Sequence, residues 1–264
     1  MPSVSNIAVG AAMAGAAASK ARHAMNESIT RLSTGIRSMY GGDAAGQSLA
    51  NSLGSKGASF AVAARNAEDG ISFLQSAESV LLEMAALTTR LRELGVQYAN
   101  NGLLTLTDEA ALNAEATAIG DALLSVASNT TFNGVVMVGN ATAIEVGIND
   151  VGDTATIGTA TSIANANMGD ITGANGVDGS ADTALGSIAT SLGNVAAGMV
   201  SLKGYQAVAS NSAANLKAAA ARIQDTDFAL ETANLTKASV LNQSAMAMVA
   251  QANQAQNAIL AVIQ

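Results

Sequence analysis

Proline occurs once in the 264 residues of this chain, at Pro2. Proline interrupts helices because it lacks a backbone N–H and its ring clashes with the preceding turn. Nothing after the second residue therefore prevents very long helices. Apolar residues make up 49% of the chain, yet aromatic residues make up only 3% and Trp is absent. An alanine-rich composition of this kind favours long helices packed at close range over a globule built around large side chains.

The charged and reactive residues exclude several classes of protein. The formal net charge is -8 and only 12% of the residues are charged, which argues against nucleic acid as a partner. Cysteine is absent, which excludes disulfides, a thiolate nucleophile and a cysteine metal site. The single histidine, His23, argues against a Ser-His-Asp triad and a histidine metal centre. We therefore expect no enzyme activity, no catalytic residues, no cofactor and no metal.

The two ends of the chain carry no charge. Residues 1–19 and 238–264 contain no Asp, Glu, Lys or Arg. Chain termini are ordinarily frayed and polar, so uncharged, alanine-rich ends indicate burial against something else. No run of 18 strongly apolar residues is present, and the first basic residue, Lys20, lies too late for a cleavable secretory signal. We expect neither a membrane span nor a cleaved signal peptide.

Both ends show the spacing of a coiled-coil seam. The steps alternate between three and four residues, which is the heptad pattern. The N-terminal row comprises Ile7, Ala11, Ala14, Ala18, Ala21, Met25, Ser28 and Leu32. The C-terminal row comprises Ala238, Leu241, Ala245, Met248, Ala252, Ala255, Ile259 and Val262. The pattern predicts that the two ends pair with each other.

Larger side chains follow the same spacing in the middle of the chain. The rows are Phe73, Ala77, Val80, Met84, Leu87, Leu91, Leu94 and Tyr98; Leu112, Ala116, Ile119, Leu123 and Val126; and Ile188, Leu192, Val195, Met199 and Leu202, continuing to Ile223. These rows predict core faces of bundle helices. A helix from Asp43 to Tyr98 would be about 80 Å long at a rise of about 1.5 Å per residue. The predicted fold is mainly α, an elongated antiparallel helical bundle or coiled coil with paired termini.

One region departs from the helical pattern. Gly, Asn, Thr and Asp cluster within residues 135–182, among β-prone runs at Val135–Val138, Ile144–Ile148 and Thr154–Ile157. Turn residues separate these runs at Gly139-Asn140 and at Asn149–Asp153, which predicts a small β-hairpin region. We divide the chain into an inner coiled coil (1–40 and 227–264), a central bundle (41–134 and 183–226) and this hairpin region (135–182).

Several runs closely resemble the terminal signatures of bacterial flagellins. On the N-terminal side they are RLSTGIR at 31–37, GDAAG at 42–46, RNAEDGIS at 65–72, RLRELGVQ at 90–97 and TFNG at 131–134. On the C-terminal side they are ARIQDTDFA at 221–229, ETANL at 231–235 and QANQ at 251–254. The runs occur in the family's order at both ends. The chain departs from the family pattern at Thr88-Thr89, Gly95 and Ala255.

The resemblance implies a structural subunit that polymerises into the flagellar filament, the helical propeller of swimming bacteria. The terminal coiled coil would form the inner tube and the central bundle the next layer, without large outer domains. Two helices of small residues bury too little apolar area to offset their ordering entropy, so we expect the ends to order on polymerisation. The expected subunit-packing seams include Ile7, Met25, Leu32, Leu241, Met248, Ile259 and Val262.

The resemblance also implies partners and a location. Beside further copies of the chain, they are the flagellar type III export apparatus, an export chaperone, the filament cap and the hook-associated junction proteins. The location is the extracellular filament, reached without a cleaved signal peptide. In many flagellins one surface of the central bundle is recognised by the animal Toll-like receptor for flagellin. Here that surface would include Arg90, Leu94 and Glu115, and would also contact neighbouring subunits.

Two other functions compete with this interpretation. A hook-filament junction protein of the same superfamily would cap a filament rather than extend it, and the complete C-terminal flagellin signature disfavours it. An amphipathic helical protein that binds membrane surfaces belongs to a different class. Such proteins use a Lys/Arg face and aromatic anchors, which the terminal segments lack.

Overall fold

A computed structural model describes residues 2–37, 43–138, 144–157 and 177–263. The helices are α1 (Pro2–Thr34), α2 (Ala44–Tyr98), α3 (Leu106–Asn129), α4 (Val177–Gln224) and α5 (Phe228–Ile263), with one 3₁₀ turn at Asn101–Leu103. The strands are β1 (Thr131–Phe132), β2 (Val135–Val136), β3 (Ile144–Gly147) and β4 (Thr154–Ile157). The prediction of a mainly α fold with a small β region is confirmed.

Helix α2 is the long helix that the sequence predicts. It contains 55 residues, and at about 1.5 Å per residue it is roughly 80 Å long. The Asp43 carboxylate accepts a hydrogen bond from the backbone N–H of Gly46 at 2.8 Å, which satisfies one of the free donors at the start of the helix.

The contacts divide the chain into two compact units. Unit 1 comprises Met1–Ser55 and Leu216–Gln264, and unit 2 comprises Lys56–Asn215. The divisions fall inside α2 and α4, whereas the domain boundaries expected from the sequence lie near the ends of those helices. Those expected boundaries stay a prediction.

In unit 1, α1 and α5 pair in opposite directions. An isolated antiparallel bridge joins Ile36 to Asp225, and the Arg31 guanidinium lies 3.7 Å from the Glu231 carboxylate. The buried positions along this pair are mostly small: Ala18, Ala21 and Ser28 on α1, with Glu231, Ala238 and Ala245 on α5. The prediction that the two ends pair is confirmed.

In unit 2, α2, α3 and α4 enclose a core of large side chains. Its members include Phe73, Leu74, Leu81, Met84, Leu91, Leu94, Leu112, Leu123, Ile188, Val195 and Leu202. Helices α2 and α4 approach closely at Gly95, where an added Cβ would lie 2.9 Å from the backbone nitrogen of Asp178. At the other end of the contact, an added Cβ on Gly70 would lie 2.9 Å from Leu202. The two contacts show that the helices run antiparallel.

Two β-hairpins complete unit 2. Strand β1 pairs with β2 across Asn133 and Gly134, whose φ angles are 49° and 80°. Sequence analysis predicted β2 but missed β1. Strand β3 pairs with β4 across the predicted Asn149–Asp153 turn. In this turn the Asn149 side-chain oxygen accepts hydrogen bonds from the backbone N–H groups of residues 151, 152 and 153. The other predicted turn, Gly139-Asn140, lies outside the described residues.

The hairpins pack on the core through a few apolar side chains. Val146 of β3 and Ile157 of β4 are buried in the core. The Phe132 ring meets the Phe73 ring edge to face, with centroids 5.8 Å apart.

Helix α4 is long and apolar enough to cross a bilayer by length and composition alone, with a mean hydropathy of 1.3 in its most apolar 18-residue window. The core helix of a protein that never enters a membrane passes the same test. Ile188, Val195 and Leu202 of α4 are buried in the core of unit 2. These buried residues account for part of the apolar composition, since 28% of that window is buried.

Candidate functional site

An open groove runs between α1 and α5 in unit 1. Its volume is about 590 Å³. We call it the terminal groove; its walls are Ala17, Lys20, Ala21, Ala24, Glu27, Ser28 and Arg31 of α1, and Glu231, Asn234, Lys237, Ala238, Leu241, Ser244, Ala245 and Met248 of α5. On the α1 side, three of the seven wall residues are alanine, one is serine and three are charged. The two large apolar side chains of the groove, Leu241 and Met248, both stand on α5.

A buried ion pair lies at the charged end of this groove. Glu231 is only 6% exposed, and its carboxylate lies 3.7 Å from the Arg31 guanidinium. Arg31 also binds Glu27 one turn earlier, at 2.9 Å. The Arg31 Nε and Glu231 Oε1 atoms are buried without a hydrogen-bond partner. Buried polar atoms are usually paired, so this contact leaves two hydrogen-bonding atoms unsatisfied within unit 1.

Sequence analysis did not single out this ion pair, although both residues lie in the recognised runs. The sequence does contain one signal of a buried charge at Glu231. Glu231 lies seven residues before Ala238, so continuing the C-terminal heptad row backwards reaches a carboxylate at a seam position. A charge at such a position indicates a buried partner.

Large apolar side chains of α1 and α5 are exposed. Val9 is 55% exposed, Met13 69%, Val240 55%, Leu241 52% and Met248 61%. The same two helices bury alanines between them. Because large apolar side chains gain more from burial than alanine does, this helix pair is incomplete on its own.

A second cluster of charged side chains joins α2 to α3 in unit 2. The Arg90 guanidinium donates to Glu115 at 2.7 and 3.0 Å and to Glu93 at 3.2 Å. The hydrogen bonds to Glu115, and then those to Glu93, raise the pKa of Arg90 above its usual value. These side chains are about half exposed, so the pairs contribute little to stability and leave charged groups on the surface.

Leu94 does not lie on that surface. Its side chain is fully buried in the core of unit 2. Leu94 lies one helical turn after Arg90 on α2, but its side chain points into the core while Arg90 stays half exposed. The structure therefore brings Arg90 and Glu115 together on the surface and places Leu94 beneath it.

No group of three or more His, Cys, Asp or Glu side chains that could hold a metal ion is present within the described ranges 2–37, 43–138, 144–157 and 177–263.

Comparison with known proteins decides the family. Residues 5–143 match the family model of the bacterial flagellin N-terminal helical region, and residues 176–263 match that of the bacterial flagellin C-terminal helical region. The chain belongs to the bacterial flagellin family. It is a structural subunit of the flagellar filament, which lies outside the cell.

Relatives of similar length support this assignment. The chain is 32% identical to the flagellar filament 33 kDa core protein of Treponema phagedenis, over 90% of this chain and 92% of that protein. It is 30% identical to a flagellin of Halalkalibacterium halodurans, over 90% and 91% of the two chains. It is also 30% identical to a flagellin of Bacillus subtilis, over 91% and 93%. The match extends over nearly the whole of each protein.

The packing-seam residues expected of a flagellin fall in three groups. Met25 and Leu32 are partly buried on α1. Leu241 and Met248 are exposed and line the terminal groove. Ile7, Ile259 and Val262 belong to α1 and α5, but their side chains lie outside the described residues. Within the C-terminal heptad row, Ala238 and Ala245 are therefore buried, whereas Leu241 and Met248 are exposed.

Proposed function

We propose that this flagellin polymerises through the terminal groove and the exposed apolar side chains of α1 and α5. The observation that carries the proposal is the inverted burial in unit 1, where alanines are buried while Leu241 and Met248 are exposed. A neighbouring copy that covers the groove buries these side chains. The expected packing seams of Ile7, Met25, Leu32, Leu241, Met248, Ile259 and Val262 would then lie between subunits or at their margins.

The proposed contact is heterologous, meaning that two different surfaces of the same chain meet. Contacts of this kind build open helical polymers when the rotation between copies does not close a ring. The uncharged segments 1–19 and 238–264 suit such a contact because they bring no charge of their own to be desolvated when they enter a neighbour's groove. The charged end of the groove, with Arg31 and Glu231, then limits how far a neighbouring helix slides along it.

The filament built in this way acts as a propeller. Slight differences in how copies pack along different rows would curve and supercoil the tube, and a rotating supercoil converts torque into thrust. Small residues on facing helices permit such shifts because neighbouring backbones can slide past each other. In this proposal the chain has no catalytic role and needs no cofactor.

The remaining partners follow from family membership. We expect export through the flagellar type III apparatus without a cleaved signal peptide, with the help of an export chaperone. Assembly would take place beneath the filament cap, on the hook-associated junction proteins. These partners are proposals, and they are supported by the flagellin match at both ends of the chain.

Recognition by the animal Toll-like receptor for flagellin is a further proposal. The exposed cluster of Arg90, Glu93 and Glu115 supports it, because it presents both signs of charge on one face. Leu94 would contribute indirectly, because its buried side chain holds α2, and with it Arg90, against the core.

The polymerisation proposal is tested by placing a charge in the groove. Leu241→Glu and Met248→Glu each place a carboxylate where a neighbouring copy would dock. Thr236→Glu is the matched control, because it places the same carboxylate on an exposed position of the same helix that does not line the groove. Purified full-length chains are mixed with short filament fragments, and elongation is followed by electron microscopy. A truncation that lacks residues 1–36 and 229–264 serves as the assembly-deficient reference.

We expect wild type and Thr236→Glu to extend the fragments, and both groove variants to fail. Helicity and the unfolding midpoint of unit 2 should be unchanged in all four full-length chains, because none of the three substitutions touches its core. Elongation by Met248→Glu at the wild-type rate would contradict the proposed contact. A wild-type chain that is folded but does not extend the fragments would contradict filament polymerisation itself and favour the capping role of a junction protein.

A further inference from the structure

The exposed methionines of unit 1 have a chemical property that polymerisation does not use. Of the methionines in the described parts of the chain, three are more than half exposed: Met13 at 69%, Met246 at 52% and Met248 at 61%. By contrast, Met84 in the core of unit 2 is fully buried. An exposed thioether is open to oxidation, whereas a buried one is shielded.

Met13 and Met248 lie at the same level of the α1–α5 pair. The contact between Arg31 and Glu231 sets the register of the two antiparallel helices. Met13 lies 18 residues before Arg31 on α1, and Met248 lies 17 residues after Glu231 on α5. At a rise of about 1.5 Å per residue, both methionines are roughly 26 Å along the pair from that contact.

Met248 belongs to the wall of the terminal groove, seven residues after Leu241, and Met13 lies one helical turn before Ala17, the first residue of the α1 wall. On α1, Met13 begins a row that continues in steps of four, three and four through Ala17, Lys20 and Ala24, all of which line the groove. Residues at this spacing share one face of a helix. Met246 is exposed to a similar extent, but it does not line the groove.

Oxidation changes the character of these side chains. A methionine sulfur attacks the outer oxygen of a hydroperoxide, the O–O bond breaks, and the oxygen atom is transferred to the sulfur. The thioether becomes a sulfoxide, losing two electrons, and the hydroperoxide is reduced to water or an alcohol. The sulfoxide is polar and accepts hydrogen bonds, so burying it in an apolar contact without a donor is unfavourable.

We propose that Met13 and Met248 form an oxidation-sensitive modification site that controls polymerisation: their conversion to sulfoxides by a hydroperoxide stops a second copy of the chain from docking in the terminal groove. The inference rests on the proposed function, because it requires the groove to be a contact between copies. It adds a chemical state of the free subunit that decides whether the subunit joins the filament. Once a neighbour covers the groove, the same sulfurs are shielded from the oxidant.

The test uses the full-length chain and hydrogen peroxide. Free subunits are treated with peroxide, the peroxide is removed, and the subunits are mixed with untreated filament fragments. Elongation is followed by electron microscopy and light scattering, and the oxidation of each methionine is measured by peptide mass spectrometry. The variants are Met13→Leu/Met248→Leu, which keeps the apolar volume, and Met246→Leu as the matched control on the other side of α5.

We expect peroxide to slow elongation by wild type and by Met246→Leu by about tenfold or more, and to have less than about a twofold effect on the double variant. Treating the oxidised wild type with methionine sulfoxide reductases should restore elongation, because these enzymes return the sulfoxides to thioethers. Met84 should stay unoxidised in every sample. In assembled filaments given the same peroxide, Met13 and Met248 should stay largely unoxidised.

Three results would overturn the inference. One is a double variant that loses elongation after peroxide as strongly as wild type does. Another is a wild-type chain that carries sulfoxides at both positions and still elongates at its full rate. The third is failure of the reductases to restore elongation after they have removed the sulfoxides, a test that needs no variant. Untreated wild type that does not extend the fragments would instead contradict the proposed function.

Discussion

The two units of this flagellin bury side chains of opposite size. Unit 2 encloses Leu74, Leu81, Met84 and Leu91 with none of their surface exposed. Unit 1 buries alanines along its helix pair, while Met248 on the same pair is 61% exposed. Both units are built from long helices with heptad spacing. The difference lies in how many helices surround each row.

The number of helices explains the contrast. In unit 2, three helices surround one interior, and large side chains from each fill it. In unit 1, two helices share a single contact, which admits only small side chains at close approach. The large apolar residues beside that contact are more than half exposed, for example Leu241 at 52% and Met248 at 61%. Unit 2 thus buries its large side chains within one chain, whereas in our proposal neighbouring copies cover those of unit 1.

The largest expected effect comes from the core of unit 2. Leu81→Ala removes a fully buried side chain and should lower the free energy of unfolding by about 2–5 kcal/mol, through lost burial and the cavity left behind. Leu82→Ala is the matched control, because the adjacent leucine is 55% exposed and the change in helix propensity is the same. It should cost less than about 0.5 kcal/mol. Urea denaturation followed by circular dichroism measures both, and equal losses would contradict the described packing.

Hydrogen exchange tests the contrast between the units directly. In the free chain, amides of α1 and α5 should exchange at least about a hundredfold faster than those of α2 in unit 2, because the alanine seam holds the pair weakly. In the filament, the terminal amides should become protected as neighbouring copies cover the groove. Mass spectrometry of exchanged peptides resolves both regions. Equal protection in the free chain would show that unit 1 is complete without its neighbours.

Replacing either of two glycines of unit 2 by alanine should change the free energy of unfolding by a smaller amount, and the two changes should have opposite signs. At Gly95, an alanine Cβ would lie 2.9 Å from the Asp178 nitrogen and 3.3 Å from the Val177 Cβ, so Gly95→Ala should destabilise by about 1–3 kcal/mol. At Gly193, which is also within a helix, an added Cβ meets nothing within 4 Å. Gly193→Ala should stabilise by about 0.5–1 kcal/mol, because alanine favours the helix.

The thermal unfolding midpoint of each glycine variant, compared with that of wild type, shows whether the substitution stabilises or destabilises the chain. A stabilising Gly95→Ala would mean that α2 and α4 are not in the close contact described. A destabilising Gly193→Ala would mean that the outer face of α4 is already covered within the chain.

The core of the central bundle was predictable in large part, although the predicted α2 row omits the fully buried Leu74 and Leu81. Phe73, Met84, Leu91 and Leu94 of the predicted α2 row are all buried. Within one chain, apolar residues at this spacing gain most by facing a shared interior. The bounds of α2 and the pairing of the ends followed from the same pattern.

The terminal helices were predictable only in part. Heptad spacing placed Ala245 and Met248 in one row, but Ala245 is buried against α1 and Met248 lines the open groove. A spacing rule does not distinguish burial within a chain from burial between chains. Strand β1 was missed for another reason: Asn133-Gly134 is a strong hairpin signal, but only two residues on each side pair, too few to show alternation.

The smallest expected effect tests a local feature of unit 2, the start of α3. The Asp108 carboxylate accepts hydrogen bonds from the Thr105 hydroxyl at 2.6 Å and from the Thr105 backbone N–H at 3.0 Å, and these bonds lower the pKa of Asp108 below its ordinary value. A lowered pKa in the folded chain contributes stability that is fully present above the unfolded pKa and is lost as the pH falls through the folded pKa.

Thr105→Val removes the hydroxyl donor but keeps the side-chain shape and the backbone N–H. The pKa of Asp108 should therefore rise toward its ordinary value, and the loss of stability in acid should begin at a higher pH. An NMR titration of the Asp108 carboxyl carbon measures the first change, and Thr107→Val, an exposed neighbour in the same turn, is the control that should leave it unaltered. If the titration does not move in Thr105→Val, the backbone N–H alone sets the pKa. The Thr105 side chain would then add nothing to the stability of unit 2 through Asp108, and the side-chain contribution to stability would come from the core.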